Sequence, residues 1–189
     1  MLRRRRGIKI FMINVVEEAI ERFYKKKDYA AFKELSSQQI DLFDELKSYI
    51  QEHKLVIDEK PDRLSPSREW SIRFKDPKRG EFEVAYTTVL KISKVAPLFY
   101  VEHRFSVKNK DPKGTMPYLT GFAGKGLVMR MWDLHDEITK VLKEKGYSEI
   151  DYTEFIEVPD WFVMPEEKKD LGPNVTVEHL LFMDVFDLC

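Results

Sequence analysis

The chain has 189 residues, 43% of them hydrophobic and 34% charged, which is too apolar for a disordered chain and too charged for a membrane-embedded one. A single cysteine, Cys189, excludes a disulfide scaffold, a thiolate zinc site and a CxxC redox pair. The net charge of −1 removes bulk attraction to nucleic acid, and no run approaches the roughly 18 apolar residues that a membrane span needs.

Residues 1–11 hold Arg3 to Arg6 and Lys9 and no acid. They read as a disordered basic tail, or as an extension upstream of a true start at Met12. Lys9 interrupts the following apolar stretch and Glu17 and Glu18 come at once, so a secretory signal is not expected here. Residues 12–189 are expected to form one α+β domain with a cytoplasmic location.

Asn14 and Glu17 have capping-box spacing, and Ile13, Val16, Ile20, Phe23 and Tyr24 recur at helical intervals, so a helix is expected over 14–27. Asp28 is placed to cap a second helix from Tyr29, with a break near Ser36 and Ser37. Leu42, Phe43, Leu46, Tyr49 and Ile50 mark a third, ending near His53, and the prolines between Asp58 and Ser67 forbid its continuation.

The period then changes to two. Trp70, Ile72 and Phe74 alternate with Ser71, Arg73 and Lys75, and Asp76 to Gly80 reads as a hairpin link. Phe82, Val84, Tyr86, Thr88, Leu90 and Ile92 line one face of a second strand; Phe99, Val101, His103, Phe105 and Val107 line one face of a third. Such short links require antiparallel pairing. The opposite face carries charges of both signs, including Arg73, Lys91, Glu102 and Arg104. Leu127, Met131, Leu134, Ile138, Val141 and Leu142 give one long helix, about 127–145, stopped by Gly146. It should pack across the apolar face of an antiparallel meander of four to five strands. Trp70, Phe74, Phe82, Phe105, Leu134 and Ile138 are expected to be buried together. A further strand is expected over Ile150 to Val158. Val175 to Phe186 is ambiguous between strand and helix, with its β-branched residues favouring a strand.

Three groups of residues carry chemistry. Thr120 to Gly126 holds three glycines and Lys125 ahead of the long helix, but the spacing matches neither GxxxxGK[ST] nor GxGxxG, so a tight loop is the better reading than a phosphate cradle. His103 on the apolar strand face and His135 at the edge of the helical stripe are placed to meet. With Asp133 or Asp136 beside them they would suit a metal or general-base site in a small enzyme or ligand carrier with a sheet–helix cleft. Without HxH or HExxH spacing, structural histidines are the simpler account. No metal, cofactor or nucleophile motif is present, and His53 and His179 are isolated.

The third group is electrostatic. The 43 residues after Gly146 carry 11 acids and 2 bases, while residues 61–114 carry 12 bases and 7 acids. Glu149, Asp151, Glu154, Glu157, Asp160, Glu166 and Glu167, with Trp161 and Phe162 among them, have the makings of an acidic face with aromatic anchors. The leading expectation is therefore a non-catalytic, intracellular protein-binding module. It would resemble an immunity or antitoxin-like protein neutralising a basic protein partner, with no membrane and no nucleic acid involved. Internal pairing of the acids with the basic middle is the structural alternative.

Overall fold

The computed structural model describes residues 15–61, 65–74, 82–110, 118–159 and 175–183. The chain is α+β, with a six-stranded sheet between two sets of helices. Strands β1 (Val56–Glu59), β2 (Ser67–Arg73), β3 (Phe82–Ser93), β4 (Leu98–Asn109) and β5 (Tyr118–Ala123) form an antiparallel meander in chain order. A two-residue strand, β6 (Ser148–Glu149), pairs with β4 in parallel beside β5. The parallel pairing follows from the intervening helix, which supplies the crossover that parallel strands need.

Helix α1 covers residues 15–25 and takes a π turn over Glu21–Lys25. Helix α2 (Tyr29–Ser37) starts where Asp28 accepts the Ala31 N–H, and α3 (Asp44–Glu52) follows. The long helix α4 (Met129–Glu144) buries Met131, Leu134, Ile138, Val141 and Leu142. Gly146, at φ +88°, ends it in the left-handed conformation that favours glycine. The expected boundaries of α2, α3, α4 and the three central strands all hold to within a few residues.

Register divides the sheet into two faces. Trp70, Leu90 and Val101 lie in one cross-strand row, and Phe99 opposite Ile92 in the next. Together with α3 and α4 they form an inner-face cluster in which Leu134 and Ile138 are fully buried. Leu98 and Tyr100 alternate to the outer face, where they pack with α1, α2 and two short C-terminal helices.

Those two helices correct the expected strands. Residues 152–155 form α5 (Tyr152–Phe155), not the interior of a strand over Ile150 to Val158. The cause is a complete capping box: Asp151 accepts the Glu154 N–H while the Glu154 side chain accepts the Asp151 N–H. Residues 177–181 form α6 (Val177–Leu181), because Thr176 and His179 make the same reciprocal pair and outweigh the β-branched valines. The last carbonyls of α6 are taken by hydroxyls from three other elements. Tyr24 donates to Leu180, Ser93 to Leu181 and Ser67 to Phe182, at 2.7, 2.8 and 2.7 Å.

Two core expectations are also corrected. Phe82 is 50% exposed and Phe105 only half-buried. The 16 residues of α4 span about 24 Å, while β3 and β4, at 12 residues each, run to about 40 Å, so the inner face extends beyond its helix. Of the glycine run before α4, Thr120 to Ala123 belong to β5, while Gly124 to Gly126 form the expected loop; Gly121 is in the strand because a Cβ would overlap the edge of the Phe105 ring. Asn14, the Asp76 to Gly80 hairpin and Trp161 to Pro165 lie outside the described residues.

Leu134 has no exposed surface and sits at the centre of the inner-face cluster. Leu134→Ala is expected to cost about 2–5 kcal/mol in chemical denaturation, and a loss under about 0.5 kcal/mol would show that α4 does not hold this face.

Candidate functional site

His103 and Thr88 are direct cross-strand partners on the inner face, and neither has exposed surface. The third member comes from α4. His135 stands on the border of its apolar stripe, one turn from Thr139. The fourth comes from β6. Pairing of Glu149 with Phe99 in parallel register puts its side chain on the inner face, towards α4.

These residues make one continuous hydrogen-bonded chain. Thr88 Oγ1 lies 3.0 Å from His103 Nδ1, His103 Nε2 lies 2.9 Å from His135 Nδ1, and His135 Nε2 lies 2.8 Å from Glu149 Oε1. Thr139 Oγ1 donates to the other carboxylate oxygen at 3.2 Å. Every ring nitrogen of both histidines is therefore engaged.

The direction of the chain follows from its charged end. Burial works to raise the Glu149 pKa, but the hydrogen bond and charge of His135, the Thr139 hydroxyl and the Lys143 charge outweigh it and hold the carboxyl below its ordinary value. An ionised carboxylate only accepts, so His135 Nε2 carries a proton and donates. With the His135 ring neutral, its Nδ1 accepts from His103 Nε2–H and His103 Nδ1 accepts from the Thr88 hydroxyl; with the ring protonated, His135 Nδ1–H donates to His103 Nε2 and His103 Nδ1–H donates to Thr88 Oγ1. Burial, and then the neighbouring His135, push the His103 imidazole down to about 4, with Glu149 opposing. Protonating both rings would set two N–H groups head-on across the 2.9 Å link. Such a buried, fully satisfied relay fixes geometry well, because each partner left alone would be a buried unpaired polar group.

The expected meeting of His103 and His135 thus occurs, but with a different carboxylate. Asp133 and Asp136 are both exposed, away from the relay, and Glu149 takes their place. Side-chain exposure is 16% for His135 and 27% for Glu149, so the accessible end of the relay is the carboxylate, not an imidazole nitrogen. Among the described residues no group of three or more His, Cys, Asp or Glu is placed to hold a metal ion.

The expected acidic face is divided. Glu149 belongs to the relay, and Asp151 and Glu154 cap α5. Glu157 is exposed, while Asp160, Trp161, Phe162, Glu166 and Glu167 lie outside the described residues. Beside these acids stand exposed apolar side chains that the sequence reading passed over: Tyr152, Ile156 and Val158 around α5, and Phe122 on β5. The Phe122 and Tyr152 rings touch, with centroids 5.5 Å apart. The signal for Phe122 was its place opposite Arg104 on the charged face, which a loop reading of residues 120–126 concealed.

The unfolded chain takes up a proton on His103 below its ordinary pKa of 6.5, and the folded chain refuses it until about pH 4. Stability therefore falls with acidification across that window, by roughly 3 kcal/mol from this group. Glu149 acts in the same direction, since stability from a lowered carboxyl pKa is lost as pH falls through the folded value. Urea denaturation in steps from neutral pH to pH 4 should show this slope. His103→Asn, which can still donate to His135 Nδ1, should reduce it, and an unchanged slope would place the titration elsewhere.

No family model matches the chain, and neither a curated protein nor a solved structure matches it.

Proposed function

We propose that the chain is a non-catalytic protein-binding module that presents α5 and the residues around it to a basic protein partner, as an immunity or antitoxin-like protein would. The observation that carries this reading is an exposed aromatic pair within an acidic setting. Tyr152 and Phe122 are 40% and 57% exposed although their rings are in contact. Ile156 and Val158 extend the apolar surface, and Asp151 and Glu157 are exposed alongside. Exposed tyrosine supplies a rigid anchor that gains by losing water at an interface, while nearby carboxylates steer a cationic partner towards it. The segment after Gly146 carries −9 against +8 for the rest of the chain, which supports the same polarity.

The alternative, a small enzyme or ligand carrier using His103, His135 and Asp133, has no comparable support. The two imidazoles spend all four nitrogens on the relay, and Asp133 does not reach them.

A photo-crosslinking residue at position 152, introduced in the source cell, should capture one basic protein that the same probe at Lys33 on α2 does not. With that partner purified, Tyr152→Ala should weaken binding by about 2 kcal/mol or more, roughly thirtyfold. Asp151→Asn with Glu157→Gln keeps a capping side chain but removes two charges; it should slow association and flatten its salt dependence, with dissociation little changed. Wild-type affinity in Tyr152→Ala would sink the proposal.

A further inference from the structure

Among the described residues, the outer face of the sheet is only half covered. At one end Lys91 pairs with Glu178 of α6 at 2.7 Å, and Phe155 of α5 stacks on Tyr100 with ring centroids 3.9 Å apart. Beyond that wall the same face opens into a groove of about 960 Å³. Its shape follows from residue size. The row Arg73–Thr87–Arg104–Phe122 crosses it, with two long arginines on strands β2 and β4 and a short threonine between them. Ser71 and Ala85 keep the floor low.

The groove is electrically balanced. Arg73 Nη2 pairs with Asp58 at 2.7 Å, and Arg104 Nε pairs with Glu102. Each guanidinium has further N–H groups beyond those bonds, and each carboxylate has further lone pairs. The site thus offers fixed donors and acceptors in adjacent pairs, with hydroxyls between them and an exposed aromatic ring at one end. An anion would meet Asp58 and Glu102 as well as the arginines, and a purely apolar ligand would match the surface of Ala85, Phe105 and Phe122 but leave the charged pairs and hydroxyls without partners. A sugar matches all of it. Each hydroxyl both donates and accepts, so vicinal hydroxyls can bridge a carboxylate and its arginine, while the C–H face of the ring packs on Phe122. The volume lies near the top of the 300–1,000 Å³ range of ligand sites, which suits more than one ring.

The geometry points to a binding site for a neutral oligosaccharide on the open half of the outer sheet face, held by the Arg73–Asp58 and Arg104–Glu102 pairs and stacked on Phe122. This site borders the α5 surface through Phe122, which touches Tyr152, but its polar contacts are its own and it does not depend on a protein partner. The test is an amide-resolved NMR titration of the isotopically labelled full chain with cellotetraose, maltotetraose and N-acetylchitotetraose, and with a heparin tetrasaccharide as the sulfated comparator. At least one neutral tetrasaccharide should shift the amides of Thr87, Arg104, Ser106 and Phe122 saturably, at millimolar ligand or below, with affinity insensitive to salt. Thr87→Val and Phe122→Ala, both conservative of the fold, should each weaken that binding at least about tenfold while leaving the thermal midpoint near wild type. Saturation by heparin alone, with strong salt dependence, would overturn the proposal in favour of an anion site. Absence of these shifts with all three neutral ligands at millimolar concentration, or wild-type affinity in both variants, would also overturn it.

Discussion

The hydrogen-bonded line from Thr88 through His103 and His135 to Glu149 locates everything on the inner face of the sheet. Apolar burial drives α4 onto that face but is not directional, and a stripe of leucines and isoleucines tolerates sliding or rotation at modest cost. The relay does not. It demands that one point on β3 and β4, one turn of α4 and one residue of β6 coincide to within hydrogen-bonding distance. Once α4 is set, Gly146 turns the chain, β6 is brought alongside β4, and α5 begins at Asp151 two residues after the relay ends. The surface around Tyr152 is thus positioned by a polar contact in the interior.

The sheet separates two kinds of organisation. On the inner face two helices from different parts of the chain close over one cluster, joined at their ends by the Lys145–Glu45 ion pair at 2.8 Å. That pair is exposed on both sides and adds little on its own. On the outer face the covering helices stop short, so β2, β3, β4 and β5 present charged and hydroxylic side chains beyond them. A polar sheet surface of this kind is ordinary where it faces water. Here the long arginines of β2 and β4, with short Ser71, Ala85 and Thr87 between them, make it a groove rather than a plane.

Much of this arrangement was legible in the residues. Period-two alternation in 70–74, 82–92 and 99–107 placed the central strands and assigned their faces, because one slip of register would have turned His103 outward. The 3.6 period of 131–142 and Gly146 placed α4. His103 and His135 could be brought together from those two patterns alone. Their carboxylate could not, since Glu149 reaches them through a parallel two-residue strand that has no periodicity to read. The Asp151–Glu154 capping box lies inside a stretch whose apolar residues read as a strand, and two acids read as a binding face turned out to hold a helix terminus. In α6 the box uses His179 in the place where glutamate or glutamine is usual, which hid it. Strands β1 and β5 are short edges with mixed composition, and Gly121 in β5, with Gly124 and Gly126 just beyond it, argued for a loop.

The three hydroxyls that receive the end of α6 join the first helix of the described chain to the last. Tyr24 belongs to α1, and its partner carbonyl is on Leu180, with Phe23 and Phe32 in the same cluster as Val177, Leu180 and Leu181. During synthesis the residues of the inner-face cluster, which end at Leu142, are all made before α6 exists. At about 5–20 residues per second, the ribosome needs roughly 2–8 s more to reach Phe182. For that interval Ile20, Phe23 and Tyr24 have Phe32, Leu98 and Tyr100 to pack against but lack Val177, Leu180 and Leu181 of α6. The outer half of the molecule is therefore completed last, and the nascent chain carries the apolar stripe of an amphipathic first helix that cotranslational chaperones would meet before its own C-terminal residues do.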